Sequence, residues 1–351
     1  MSRLSIGTVL SLDGRIARNK ARCARADHAR KEDHPVSYHY IYGPIPSRRL
    51  GRSLGISPIP DKTCNFSCIY CMLGRTDHLT NEREEYFKLE DILAELDDAL
   101  RHVSPPPDHI SIVGNGEPTL YLRLGDLIRG ARELTSIPIA VITNGALLSE
   151  PAVREALAEA DIVLTSFNAP TEELFRRIDR PCPGIAFEAM KQGLLDFAHM
   201  PRRGQLWVEM MLLEGINDSP ETLEQTRWVL QDVEPDRVFV DTPIRPPAED
   251  FAHPVTPEAL VLAEKALGGA QASGFDFGAF TIAAGTDPLE TLAGVCKRHP
   301  MREDQATLLL VNSGIDPLPV LDALRADPRF RVEQYGGQTF FLVHEMNGKS
   351  G

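Results

Sequence analysis

No stretch of this chain is apolar for long enough to cross a bilayer, and its first residues lack the hydrophobic core of a secretory signal. Those two absences predict a cytoplasmic protein with no membrane partner. Cysteine is scarce, six in 351 residues, and a reducing compartment argues against a disulfide framework; metal binding or plain burial is expected instead. Excess positive charge is lacking too. The 50 Asp and Glu outnumber the 37 Lys and Arg, for a net charge of −13. The first 37 residues carry eight Lys and Arg against four Asp and Glu, which leaves the rest near −17. Such a body repels nucleic-acid phosphates except at a local basic patch, and Arg48, Arg49 and Arg52 make the compact one. What is present, 42% hydrophobic and 25% charged residues, is ordinary for a globular protein. It suffices for one large α/β domain and a small appendage.

Residues 1–40 mix small, basic and polar side chains without period and read as a disordered extension or a mis-assigned start of translation. Over 41–270 an α/β rhythm takes hold. Short β-rich runs at 53–57, 109–113, 137–143, 161–166, 206–213 and 237–241 alternate with helical patterns. Among the latter, Leu89, Ile92, Leu93, Leu96 and Leu100 share one face, and Pro105-Pro106-Pro107 ends that helix. Six strands alternating with helices predict a parallel sheet with right-handed crossovers. Polar and glycine-rich motifs follow the strands, as at the C-terminal face of a (β/α) barrel; a doubly wound open sheet is the alternative. Residues 271–286 read as a linker. Residues 287–345 read as three helices (289–298, 302–311 and 317–326) and a hairpin around Gly336-Gly337, a winged-helix-like domain. Its third helix holds Arg325 but also Asp322 and no lysine, so DNA readout is not expected; docking of a substrate or partner is.

The chemistry concentrates in Cys64-Asn65-Phe66-Ser67-Cys68-Ile69-Tyr70-Cys71, three thiols within eight residues. A four-iron cluster normally takes four thiolates, so three leave one iron open to an outside ligand. No fourth cysteine is close in sequence, since Cys23, Cys182 and Cys296 are remote and isolated. Zinc held by these three and His78 is the alternative metal reading. A lone Cys182 reads as a small buried hydrophobe.

The C-x3-C-x2-C spacing with Tyr70 before the last cysteine resembles the signature of the radical SAM superfamily. The stretch from Gly43-Pro44-Ile45-Pro46-Ser47-Arg48-Arg49-Leu50-Gly51-Arg52-Ser53-Leu54-Gly55 through Gly74-Arg75-Thr76 resembles the branch grouped with the wyosine-synthetase-like iron–sulfur oxidoreductases. The likeness runs from about 42 to 247. It implies a partial (β/α)6 TIM-like barrel holding a [4Fe-4S] cluster on Cys64, Cys68 and Cys71. It also implies S-adenosyl-L-methionine chelated to the open iron, with Tyr70 near the adenine. Gly114-Asn115-Gly116-Glu117-Pro118 matches the family's Gly-Gly-Glu motif. There Asn115 and Gly116 would let backbone approach the cofactor, and Glu117 would accept from its ammonium. Asn144, Ser166, Asn168 and Glu209 stand where the family makes ribose and carboxylate contacts. Arg48, Arg49 and Arg52 could bind a substrate phosphate or carboxylate, or clamp the barrel's own strand ends.

The resemblance further implies an enzyme that receives an electron from a flavodoxin or ferredoxin and cleaves S-adenosylmethionine. The 5′-deoxyadenosyl radical so formed would abstract hydrogen from an RNA base or from a peptide or protein. The alternative from another class is an iron–sulfur redox sensor with the winged helix as its output. Unlike archaeal wyosine synthetases, the chain has no second cysteine cluster.

Overall fold

The computed structural model describes residues 38–269, 281–282 and 286–343. The extension expected over 1–40 and the linker expected over 271–286 fall largely outside the described residues. The described residues all belong to one compact unit.

A seven-stranded sheet organises that unit. Its strands are β1 (Ile41–Ser47) and β2 (Gly51–Ile56), then β5 (His109–Ile112), β6 (Ile139–Thr143), β7 (Ile162–Ser166), β8 (Gln205–Met211) and β9 (Arg237–Asp241). The spatial order is β1-β2-β5-β6-β7-β8-β9. β1 runs antiparallel to β2, and every later pair is parallel. All six strands expected from the sequence are therefore present. Each crossover steps one place in the same direction. That is the winding of a barrel, whereas a doubly wound sheet reverses at a switch point. β1 was not expected, because Gly43, Pro44 and Pro46 break the apolar alternation that marks a strand. Between β2 and β5, two short parallel pieces, β3 (Thr63–Cys64) and β4 (His78–Leu79), pair only with each other.

The crossovers carry α1 (Leu89–His102), α2 (Leu124–Leu134), α3 (Pro151–Leu157), α4 (Glu172–Ile178), α5 (Phe187–His199) and α6 (Pro220–Val233), and α7 (Pro257–Leu267) follows β9. α1 buries Leu89, Ile92, Leu96 and Ala99, the face its spacing predicts. Strand parity divides the sheet into two surfaces. Ile110, Ile112, Val141, Val163, Val208 and Val240 face the helices in the main core. The alternate residues Ala140, Ile162, Leu164, Trp207 and Phe239 form a separate inner cluster around Leu50. Leu50 comes from the β1–β2 turn, so the hairpin tip folds inward and fills the barrel's interior with one leucine.

The C-terminal module contains α8 (Pro288–Cys296), β10 (Met301–Arg302), α9 (Glu303–Asn312), α10 (Pro317–Ala326), β11 (Phe330–Tyr335) and β12 (Gln338–Val343). The three helices and the hairpin match expectation; the two-residue β10, too short to be legible, completes a sheet of order β10-β12-β11. Asp287 and Asp316 cap α8 and α10, each followed by proline at the first helical position. The module has its own apolar core of Leu292, Leu310, Leu321, Leu324 and Phe341. It docks on the barrel through polar contacts. Lys297 pairs with Asp61, the Arg298 guanidinium lies 4.3 Å from the centre of the Tyr42 ring, and Arg245 Nε donates to the Pro300 carbonyl at 3.0 Å.

Leu50 is 2% exposed and is the one side chain of its cluster not carried by a strand. Leu50→Ala should therefore cost about 2–5 kcal/mol in urea unfolding, the usual range for a leucine truncated in a packed core. A cost under about 1 kcal/mol would show that the hairpin tip is not packed inside the barrel.

Candidate metal centre

The cysteine loop is held at both ends by backbone. Strand β3 opens it and β4 closes it, with Thr80 N donating to Cys64 O at 3.0 Å and His78 N to Lys62 O at 3.1 Å. On its far side, Ile69 N donates to Ile178 O at 2.9 Å and Cys182 N to Asn65 O at 2.8 Å. Phe66 and Ile69 are the apolar anchors; Phe66 stacks edge-on against Phe175 at 5.4 Å. The two anchors interleave with Cys64, Cys68 and Cys71, so that burying one set leaves the three thiols together on the wall of one cavity of about 350 Å³.

That cavity also meets Tyr70, Asn115, Gly116, Glu209, Arg48 and Arg49. These expected residues are brought together. Four others, Glu117, Asn144, Ser166 and Asn168, do not line that cavity. Glu117 is 2% exposed and its carboxylate is saturated by the protein. Oε1 accepts from Thr119 N at 2.9 Å, Thr119 Oγ1 at 2.5 Å and Thr143 Oγ1 at 2.6 Å, and Oε2 accepts from Asn144 N at 2.7 Å. Burial raises its pKa above the usual glutamate range, and these donors oppose the rise. Asn144 Nδ2 turns to Asn65 Oδ1 at 2.6 Å and to Cys64 Sγ at 3.7 Å. Asn168 is a buried hub, donating to Tyr70 Oη at 2.8 Å and Asp179 Oδ1 at 2.9 Å while accepting from Met211 N at 2.8 Å. Ser166 closes β7 opposite Glu209.

Gly116 is a packing glycine. A Cβ there would collide with the Thr63 carbonyl, to which Glu117 N donates at 3.1 Å. The loop after β5 thus approaches the start of the cysteine loop, where a ligand had been expected.

The arginines divide. Arg48 Nη1 and Nη2 donate to both oxygens of Asp241, at 2.8 and 3.0 Å. Arg49 Nη2 donates to Asp241 Oδ2 at 2.6 Å and pairs with Glu209. Burial lowers the Arg49 pKa to about 10, against the pull of Asp241. These contacts span the open barrel from the β1–β2 turn to β8 and β9, the clamp that was the second reading of the sequence. Arg52 does not line the cavity: its backbone N–H donates to Asp108 Oδ2 at 2.7 Å and its guanidinium to the Pro105 carbonyl at 3.1 Å. Sequence reasoning missed Asp241, the carboxylate that closes the apolar strand β9. It also missed Asp179, Arg245 and His299, whose neighbours come from distant segments.

Burial pushes all three thiols above the usual cysteine range, with Glu117 next in effect at Cys64 and Asp179 next at Cys68. Buried thiolates therefore need a cation beside them. Among the described residues no three His, Cys, Asp or Glu side chains converge on a single-ion position. The zinc alternative with His78 has no such convergence behind it. A cluster asks for something else, three sulfurs each bound to its own iron, and three thiols on one cavity wall suit that. Phe66 N already donates to Cys64 Sγ at 3.4 Å, as a ligating sulfur requires. Cys182 is next to the loop through its backbone, but its side chain packs against the barrel core; Cys296 is buried in the C-terminal module.

Comparison with known proteins gives the chain its family. Residues 59–226 match the family described as Radical SAM superfamily, and the chain belongs to that superfamily. The UPF0026 protein MJ1312 of Methanocaldococcus jannaschii is 30% identical over 309 residues, covering 86% of this chain and 95% of that protein. The GTPase Obg of Brachyspira hyodysenteriae is 38% identical over 225 residues, 64% of this chain; the match spans only 33% of that protein. A solved structure of TYW1 with a lysine-pyruvate adduct bound has 19% identity and a TM-score of 0.47, covering 62% of this chain and 72% of that one.

Glu117→Ala leaves two hydroxyls and two backbone N–H groups without their acceptor. It should lower stability to urea by more than about 2 kcal/mol, since each orphaned buried donor costs about 1–3 kcal/mol. Glu117→Gln, which keeps the shape, should be intermediate. A Glu117→Ala protein as stable as wild type would contradict the clamp.

Proposed function

We propose that Cys64, Cys68 and Cys71 hold a [4Fe-4S] cluster whose fourth iron takes S-adenosylmethionine. The observation that carries this reading is the three half-buried thiols on one cavity wall, with no fourth cysteine on it among the described residues. When bound, cluster and S-adenosylmethionine together supply a 5′-deoxyadenosyl radical that abstracts hydrogen from a substrate.

The protein's part is binding, orientation and exclusion of water. Asn115 Oδ1 is buried and has no partner, while its Nδ2 is fixed by Asp61 Oδ1 at 2.7 Å. It is the acceptor we assign to the cofactor's ammonium, in place of Glu117. Tyr70 is oriented by Asn168, so its ring borders the cavity in one pose. Asn144, donating toward Cys64 Sγ, keeps that sulfur oriented. No side chain on the wall is assigned as a proton-transfer group. The electron would come from a flavodoxin or ferredoxin, and an RNA base or a peptide are the substrate classes the resemblance suggests. We read the C-terminal module as winged-helix-like. Its docking at the cavity fits a part in substrate handling, and the redox-sensor alternative gains no support from a cavity built beside the thiols.

Anaerobic reconstitution tests this reading. Wild type should bind about four irons per chain and, with dithionite and S-adenosylmethionine, release 5′-deoxyadenosine slowly. Cys64→Ala, Cys68→Ala and Cys71→Ala should each abolish both, and Cys182→Ala and Cys296→Ala neither. Full iron in Cys71→Ala, or iron lost in Cys296→Ala, would overturn the ligand assignment.

A further inference from the structure

Two residues before Cys64, Lys62 has a backbone that gives no reason for its side chain. Its φ is 54°, in the left-handed region where glycine is at ease and a side chain is strained. Hydrogen bonds hold it there, with Lys62 N donating to Asn115 O at 2.7 Å and Lys62 O accepting from His78 N at 3.1 Å. The side chain is half-buried and lines both the wall that holds the three thiols and a neighbouring cavity of about 240 Å³. Its ammonium reaches the turn that follows Cys71. A Cβ on Gly74 would lie 3.8 Å from Lys62 Nζ, and Gly74 N donates to Cys71 O at 3.1 Å.

Among the described residues this ammonium has one ion pair, with Asp77 at 3.7 Å, and Asp77 is exposed. Exposed pairs contribute little, so Asp77 does not account for the lysine. Asp61, the other carboxylate of the neighbouring cavity, is taken by Lys297 and by Asn115 Nδ2. The charges around the thiols are uneven. After burial, the largest effect at Cys64 is the carboxyl of Glu117 and at Cys68 that of Asp179, and both push the thiol pKa up. At Cys71 burial again pushes up, and a backbone hydrogen bond from Leu73 and then the Lys62 ammonium pull down. Two carboxyls and one ammonium therefore bracket the three sulfurs.

A cluster on three thiolates is anionic, and an added electron makes it more so. A cation close by favours the more negative state, and local charge is one of the levers that set a cluster's reduction potential. We propose that Lys62 tunes the cluster: its ammonium, beside the loop that carries Cys71, stabilises the reduced cluster and raises the potential at which it accepts an electron. This rests on the [4Fe-4S] reading above and adds to it a residue that binds neither iron nor cofactor. One electron passes from an outside reductant to the cluster; no bond to Lys62 forms or breaks, and its proton stays in place.

Redox titration of the reconstituted full chain with dithionite, followed by EPR without S-adenosylmethionine, reads the midpoint directly. Lys62→Gly, which the left-handed backbone accepts, should keep the iron content and urea stability of wild type yet shift the midpoint negative. The expected shift is about tenfold in the ratio of reduced to oxidised cluster at a fixed potential, about 59 mV for one electron. Lys62→Arg, which keeps the charge, should stay close to wild type. Asp77→Asn removes the opposing charge and should shift the midpoint positive, by less. Should Lys62→Gly lose iron, Lys62→Gln, which keeps the length of the side chain, is read in its place. A loaded variant with the wild-type midpoint overturns this proposal alone, as do shifts of the same sign at Lys62 and Asp77. So does an unmoved midpoint with weaker binding of S-adenosylmethionine in equilibrium dialysis, which would give the ammonium to the cofactor instead. A wild type that takes up no cluster overturns the [4Fe-4S] reading and this proposal with it.

Discussion

One buried carboxylate, that of Glu117, ties the strand ends to the metal loop. Removed from water, it must be met by donors or be neutralised, and four donors from two strand ends meet it. That requirement brings the loop after β5 against the end of β6. It also sets the direction of Asn144, whose side chain reaches Asn65 and Cys64. On the same loop Gly116 lies against Thr63 so closely that only hydrogen fits. The cysteine loop is therefore positioned from beneath by hydrogen bonds and steric contact rather than by its own sequence, which contains no helix or long strand.

The open barrel needs a second kind of tie. β1 and β9 are the sheet's edges and do not pair, so nothing in the backbone ladder joins the first turn to the last strand. Leu50 joins them by apolar contact with Trp207 and Phe239, and Arg48 and Arg49 join them by charge, through Asp241 and Glu209. Buried ion pairs are weak evidence for stability, because desolvation offsets much of their attraction. Their value here is geometric: they fix the β1–β2 turn against the ends of β8 and β9 at one wall of the cavity.

Much of the fold was legible because its signals are local. Six apolar runs ending in polar turns located six parallel strands, and Asp-Pro pairs at 287–288 and 316–317 located two helices of the C-terminal module. The cysteine spacing was legible for the same reason, since all three thiols lie within eight residues of one loop. β1 escaped because its glycine and prolines suppress the alternation. Among the site residues, those read by type alone kept their protein partners out of sight. Glu117, Asn144 and Asn168 are polar residues after strands, as expected of ligand contacts, yet all three are satisfied within the protein. Arg52 is two residues beyond the hairpin tip, and strand geometry sends it away from Arg48 and Arg49 despite their proximity in sequence.

Sequence by itself determined the alternation of strands and helices, the three thiols and their membership of one loop, because each depends on residues a few positions apart. Tertiary structure decided which polar groups face the cavity and which are consumed in holding it. A carboxylate's fate is set by where its donors come from, and two of the four at Glu117 arrive from the end of the neighbouring strand, β6. The partners of Arg48 lie 193 residues away, and His299 reaches the same wall from a separate core. No periodicity or spacing in a chain encodes contacts at that separation; they exist only once the barrel has curled and the module has docked.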